Sequence, residues 1–237
     1  MFGGKGRLGV IVPANNSVIE PEMWSKLPPE AVLFATRVFA KGDLTPDAVR
    51  AMEGQFGRAV AELEATGVDV IVFADMVTSF VMEEGWNDRR TSEMAEATGI
   101  PCVSAWTAMR AALASFSVKK LALGTPYPRA LHDLGLLFFE RAGYELSGES
   151  TLDILAMRDV EKVTPDQLRA FVDGLERTGA EAVVLLATDL PTFTSIESLE
   201  KMTGIPVLTS NQTLMWSALA TTGNSVPIAG LGRLFNP

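Results

Sequence analysis

One ten-residue stretch occurs twice in this chain. Thr66-Gly67-Val68-Asp69-Val70-Ile71-Val72-Phe73-Ala74-Asp75 is matched 112 residues on by Thr178-Gly179-Ala180-Glu181-Ala182-Val183-Val184-Leu185-Leu186-Ala187. Thr98-Gly99-Ile100-Pro101 returns as Thr203-Gly204-Ile205-Pro206, and each copy leads into a short apolar run and a helical stretch carrying Trp106 or Trp216. Self-similarity at this spacing in a chain of 237 residues calls for two halves of one construction.

Within each half, short apolar runs alternate with longer amphipathic stretches. Strands are expected at Leu8–Val12, Val32–Thr36, Val68–Ala74, Cys102–Ser104, Leu121–Leu123, Ala182–Leu186 and Val207–Leu208. Pro46–Thr66 sets Val49, Met52, Phe56, Val60 and Leu63 at helical spacing before Gly67, and Pro165–Thr178 repeats the form with Leu168, Phe171, Val172 and Leu175 before Gly179. Strand–helix alternation predicts an α/β fold: two pseudo-two-fold-related parallel-sheet domains with helices on both faces. The first is expected over 1–117 and the second over 118–220, with a tail, 221–237, that returns to the first.

Open parallel sheets bind ligands beyond the carboxyl ends of their strands, so two facing halves would converge on one interdomain cleft. The loops concerned are Pro13-Ala14-Asn15-Asn16-Ser17, Asp75-Met76-Val77-Thr78-Ser79, Gly124-Thr125-Pro126-Tyr127, Thr188-Asp189-Leu190 and Ser210-Asn211. Amides, hydroxyls and helix N-termini dominate them, which suits a carboxylate held by hydrogen bonds.

Composition removes other readings. One Cys and one His (Cys102, His132) cannot make an internal disulfide or fill a zinc site. A net charge of −9 disfavours nucleic acid. No run approaches the ~20 apolar residues of a membrane span, and the N-terminus lacks a signal-peptide pattern, so a cytoplasmic protein without membrane contact is expected. Gly3, Gly4, Gly6 and Gly9 precede the first strand, whereas a dinucleotide fingerprint must follow it.

Asp75 ends an apolar strand, where desolvation would raise its carboxyl pKa toward values useful in a general base; the plainer role for such an Asp is to cap the next helix. Thr188, one residue past the matching point of the second half, could receive an oxyanion or be an ordinary loop residue. Tyr127 offers a hydroxyl to a ligand or packs with a wet tip. His132 reads as a solvated or core-edge histidine, and Cys102 as an inert buried thiol.

These residues together resemble the aspartate/glutamate racemase superfamily, in its maleate isomerase and arylmalonate decarboxylase branch. Leu8-Gly9-Val10-Ile11-Val12-Pro13-Ala14-Asn15-Asn16 is similar to its opening strand, with the substrate-binding Asn on Asn16, and Gly124-Thr125-Pro126-Tyr127 to the start of its second half, with the binding tyrosine on Tyr127. Pro206-Val207-Leu208-Thr209-Ser210-Asn211-Gln212 and Gly230-Leu231-Gly232-Arg233-Leu234 are similar to its closing segments. The resemblance implies an active site between two halves and no cofactor or metal. In the family, cysteines from the two halves act as bases or as a nucleophile. Here the first such position falls on Asp75 and the second on Ala187, so both thiols are absent.

A carboxylate is a poorer nucleophile than a thiolate toward a double bond but a competent base. The expected function is therefore cofactor-independent chemistry on a small carboxylic acid, by proton transfer, decarboxylation or hydrolysis, with Asp75 as general base. Asn16, Thr78, Ser79, Tyr127, Thr188 and Asn211 are expected to grip the substrate. Two alternatives stay open: a catalytically silent protein that binds small acids, or an engineered Cys-to-Ala change at 187. A homodimer is implied by the resemblance alone.

Overall fold

A computed structural model describes residues 3–40 and 45–236. Residues 1–2, 41–44 and 237, which belong to the expected first half and tail, lie outside the described residues. In the first half the order is β1 (Arg7–Pro13), α1 (Ile19–Lys26), β2 (Val32–Val38), α2 (Pro46–Glu53), α3 (Phe56–Thr66), β3 (Val70–Phe73), α4 (Thr78–Val81), α5 (Trp86–Thr98), β4 (Cys102–Ser104) and α6 (Ala105–Ser115). The second half has β5 (Lys120–Thr125), α7 (Arg129–Arg141), β6 (Glu145–Thr151), α8 (Met157–Val160), α9 (Pro165–Asp173), β7 (Ala182–Leu185), α10 (Ile196–Thr203), β8 (Val207–Thr209), α11 (Ser210–Thr221) and α12 (Gly232–Phe235). Each half builds a four-stranded parallel sheet, in the orders β2-β1-β3-β4 and β6-β5-β7-β8.

The repeated residues have repeated jobs. Gly67 and Gly99 in one half, Gly179 and Gly204 in the other, all take φ between +69° and +78°, a region that L side chains avoid. The acid two places after the first glycine of each pair ties down the start of the neighbouring strand: Asp69 accepts from Arg7 N at 2.8 Å, and Glu181 from Lys119 N at 2.5 Å and Lys120 N at 3.0 Å. Ser104 with Thr107 and Thr209 with Gln212 form capping boxes that turn β4 into α6 and β8 into α11.

Alternation along the central strands feeds two layers. Leu8, Val10, Val12, Val70 and Val72 face an apolar cluster that continues without a break through Leu123, Val184, Leu208 and Leu219 of the second half. Ile11, Ile71 and Phe73 face outward onto a smaller cluster with α2, α3 and α5. The two halves therefore share one core. At its centre α6 and α11 lie against each other, and each touches strands of both sheets.

Several expectations need correction. The stretch 46–66 is two helices, because α2 stops at Gly54 and the chain restarts at Phe56. The helix expected over 165–178 ends at Asp173, with Gly174 as its cap. β6 was not foreseen: its sequence, ELSGEST, has no apolar run, and as an edge strand it pairs with β5 alone. The tail meets the first half where Lys26 Nζ donates to Ala229 O at 2.8 Å, but α12 lies on α10, α11 and β8 of the second half.

Candidate active site

The loops after β1, β3, β5, β7 and β8 meet at the junction of the halves. Thr188, just past β7, is the knot. Its hydroxyl donates to Ala74 O at 2.9 Å and accepts from Asn16 Nδ2 at 3.0 Å, while its carbonyl accepts from Asn211 Nδ2 at 2.9 Å. Three of the expected site residues are thus joined, and all three are buried. Asn16 also turns its Oδ1 back to Val18 N and Ile19 N, fixing the entry to α1. The Arg37 guanidinium braces the same loop through Asn16 O at 2.8 Å and pairs with Glu20, so its donors go to protein groups.

Asp75 follows Ala74 directly. Its Oδ2 accepts from both the backbone N–H and the hydroxyl of Thr78, so the capping role is real, on the short helix α4. Asp75 as a whole is half-buried. Burial pushes its pKa up, against the lowering effect of the Thr78 hydroxyl and the N–H groups of Thr78 and Val77. Ser79 is turned elsewhere: its hydroxyl lies 3.2 Å from Asn87 Oδ1.

Tyr127 is buried beside α4, with its ring edge-on to Phe80 at 5.8 Å between centroids. Burial raises its hydroxyl pKa, and the charges of Asp189 and Asp75 raise it further. Ala187 holds φ at +86°, a strained value for a residue with a Cβ.

Two acids at the junction escaped the sequence reading. Asp189 is half-buried, and burial, with help from the charges of Asp75 and Glu161, lifts its pKa to about 7 against the pull of its own backbone N–H. In the sequence, Thr188-Asp189-Leu190 shows it only as a loop acid beside a threonine. Glu22, on α1, reaches into the second half and accepts from Thr192 N at 2.5 Å, Phe193 N at 2.7 Å and Asn211 Nδ2 at 2.8 Å. Burial raises its pKa although all three donors lower it. In sequence it is one more first-turn helix acid, and nothing marks it. Glu22 borders a groove of about 540 Å³ with Ser17, Glu161, Pro191 and Phe193.

Across the junction, Asn15 Nδ2 reaches Met157 Sδ at 2.9 Å and Ser17 bonds Glu161, strapping the β1–α1 loop to the α8 segment. Asn15 Oδ1, Ser210 Oγ and Asn211 Oδ1 are buried without a hydrogen-bond partner, which is unspent polar capacity at this junction. Among the described residues no group of three or more His, Cys, Asp or Glu is arranged to hold a metal ion, and no helix is long and apolar enough to cross a membrane.

The two single-copy residues lie apart from this junction. His132 is fully buried, contrary to the solvated or core-edge reading, because Thr125 Oγ1 at 2.9 Å and Glu149 Oε2 at 2.7 Å occupy both ring nitrogens. Cys102 packs on the outer cluster, where burial pushes its thiol to about 11.

The family model described as arylmalonate decarboxylase matches residues 8–235 of this chain. The maleate isomerase of Nocardia farcinica is 28% identical over 240 residues, covering 98% of this chain and 96% of the relative. The arylmalonate decarboxylase of Bordetella bronchiseptica is 26% identical over 235 residues, covering 97% and 96%. A solved structure of a serine-for-cysteine variant of the Nocardia farcinica enzyme, with a covalently bound succinylcysteine intermediate, superposes with a TM-score of 0.92 at 29% identity, covering 97% of this chain and 98% of that one.

Proposed function

The chain belongs to the arylmalonate decarboxylase family, and on that premise we propose that it is a cofactor-independent enzyme of the isomerase or lyase kind that moves a proton at the carbon beside the carboxyl of a small carboxylic acid. Asp75 is the base. The substrate lies at the junction of the halves, within reach of Tyr127 and the unspent groups of Ser210 and Asn211.

The observation that carries the reading is the setting of Asp75: a desolvated carboxyl with a raised pKa, one residue from the Ala74–Thr188 hydrogen bond that joins the two halves. A carboxyl in such a setting holds its charge weakly and takes a proton readily. The covalent route named for the Nocardia farcinica variant needs a thiolate. This chain has one thiol, on the outer face of the first sheet and protonated at neutral pH. Proton transfer is the chemistry left to the residues present. Charge developing on the substrate carboxyl is met by hydroxyls, those of Tyr127 and Ser210, and by backbone N–H groups.

The test is incubation in D2O with malonate, phenylmalonate, maleate, aspartate and hydantoin, followed by NMR. Deuterium at carbon reports proton transfer, loss of carbon dioxide a decarboxylase, and new amine or acid signals a hydrolase. Asp75→Asn is expected to remove turnover while keeping the fold and ligand binding; unchanged turnover in that variant rejects Asp75. A parent that is stabilised by a dicarboxylate yet exchanges nothing is a silent binding protein, and activity gained by Ala187→Cys would then mark a decayed or altered site.

A further inference from the structure

The residue matching Asp75 in the second half is Ala187, which has nothing to ionise. The nearest group that can is Asp189, two residues on. Thr188 Oγ1 donates to Ala74 O at 2.9 Å, and the residues that directly follow these two partners are Asp189 and Asp75. One hydrogen bond across the junction thus fixes the backbone immediately before both acids. Neither takes part in any ion pair among the described residues. The other titratable groups facing them are Tyr127 from the β5 loop and Glu161 after α8; the nearby Lys162 is spent on Asp159 at 2.5 Å. Two half-buried carboxyls with no cation between them cannot both carry charge cheaply, so one keeps a proton.

We propose that Asp189 is the second acid–base group of this site, holding the proton that is delivered to the substrate carbon while Asp75 takes the one that leaves. This rests on the reading of Asp75 given above. The Asp75 carboxylate removes the proton beside the substrate carboxyl. That C–H bond breaks, its electron pair moves into the carboxyl to give an enediolate, and Asp75 becomes neutral. Neutral Asp189 then gives its proton to the same carbon, a C–H bond forms, and Asp189 becomes the carboxylate. Proton exchange through water, or between the two acids, restores the starting state.

The working form has Asp75 charged and Asp189 neutral. Asp189 loses its proton near pH 7, so kcat/KM falls above that pH in the parent. Asp189→Asn and Asp189→Glu are compared with the parent on whichever panel acid it turns over. In Asp189→Asn, net turnover is expected to drop about 100-fold and the alkaline limb near pH 7 to vanish. Solvent deuterium still enters the substrate, because Asp75 continues to remove the proton, exchanges it with solvent and returns a deuteron to the carbon. Asp189→Glu is expected to restore part of the rate with a displaced limb, which also guards against loss of fold in the Asn variant.

Parent turnover and an unchanged alkaline limb in Asp189→Asn overturn the role of Asp189 and leave Asp75 standing. A parent that neither exchanges deuterium nor forms product with any panel acid overturns the functional reading and Asp189 with it.

Discussion

Replacing Glu22 by Ala takes the acceptor away from donors in the opposite half. Asn211 Nδ2 keeps Thr188 O, but the buried Thr192 and Phe193 N–H groups are left with nothing. An orphaned buried donor costs about 1–3 kcal/mol, hence about 2–6 for the pair. Two effects reduce this. The groove beside Glu22 lets water reach the vacated space, and the substitution removes a poorly solvated charge. A loss of about 2–3 kcal/mol at neutral pH is therefore expected.

The same site fixes the pH dependence. The folded-state pKa of Glu22 is raised above 4.5, so its contribution is fully present below that value and is lost as pH rises through the raised one. The gap between parent and Glu22→Ala is thus widest at the acid end and narrows with rising pH. Urea unfolding followed by tryptophan fluorescence at pH 5 and pH 8 measures it. Glu22→Gln, which keeps one oxygen for the two N–H groups, should lose less and lack this pH term. A gap under about 0.5 kcal/mol at both pH values, the size of an ordinary surface change, or a gap that widens with pH, would refute the account.

The other predictions concern the junction and the thiol. Ala187→Gly relieves a φ of +86° but gives up a buried methyl and adds freedom to the unfolded chain, so it should be neutral or stabilising by up to about 1 kcal/mol; a loss of that size in chemical denaturation would show that Ala187 is unstrained. Asp75→Asn should be more stable than the parent at pH 8. The raised carboxyl pKa means that the Asp75 contribution is greatest below 3.8 and lost as pH climbs through the folded value, a penalty that Asn does not share; a lower melting temperature for the variant at pH 8 would contradict this. Cys102, with its thiol near 11, should react with iodoacetamide at pH 8 about a hundredfold or more slowly than a free thiol, as mass spectrometry of the alkylated protein would show.

The parts legible in the sequence were those set by local rules. Apolar runs such as Val70–Phe73 and Ala182–Leu185 read as strands because they are buried on both faces, and the repeated glycines because backbone with φ near +70° needs them. β6 was hidden because Glu145, Gly148 and Glu149 suit an edge strand without announcing one. The break after Glu53 was hidden because apolar spacing runs straight through Gly54. In the site, Asp75 stood out as an acid closing an apolar run. Glu22 and Asp189 did not, since burial in the folded chain raises their pKa values, and the partners of Glu22 lie 170 or more residues away in sequence. The bond of Thr78 to Asp75 is a local cap, three residues apart and legible as such, whereas the bonds of Asn211 to Glu22 and Thr188 exist only once the chain has folded.

The placing of α6 and α11 bears on how such a molecule can be taken apart. Each helix has its apolar surface divided between its own sheet and the sheet of the other half, so a fragment cut in the connection between Ser115 and Lys120 would carry a sticky, half-covered helix into solution. Neither piece is expected to be a free-standing unit. Two such fragments made in one cell should find each other and rebuild the whole, the raw helix of each serving as the missing wall of its mate.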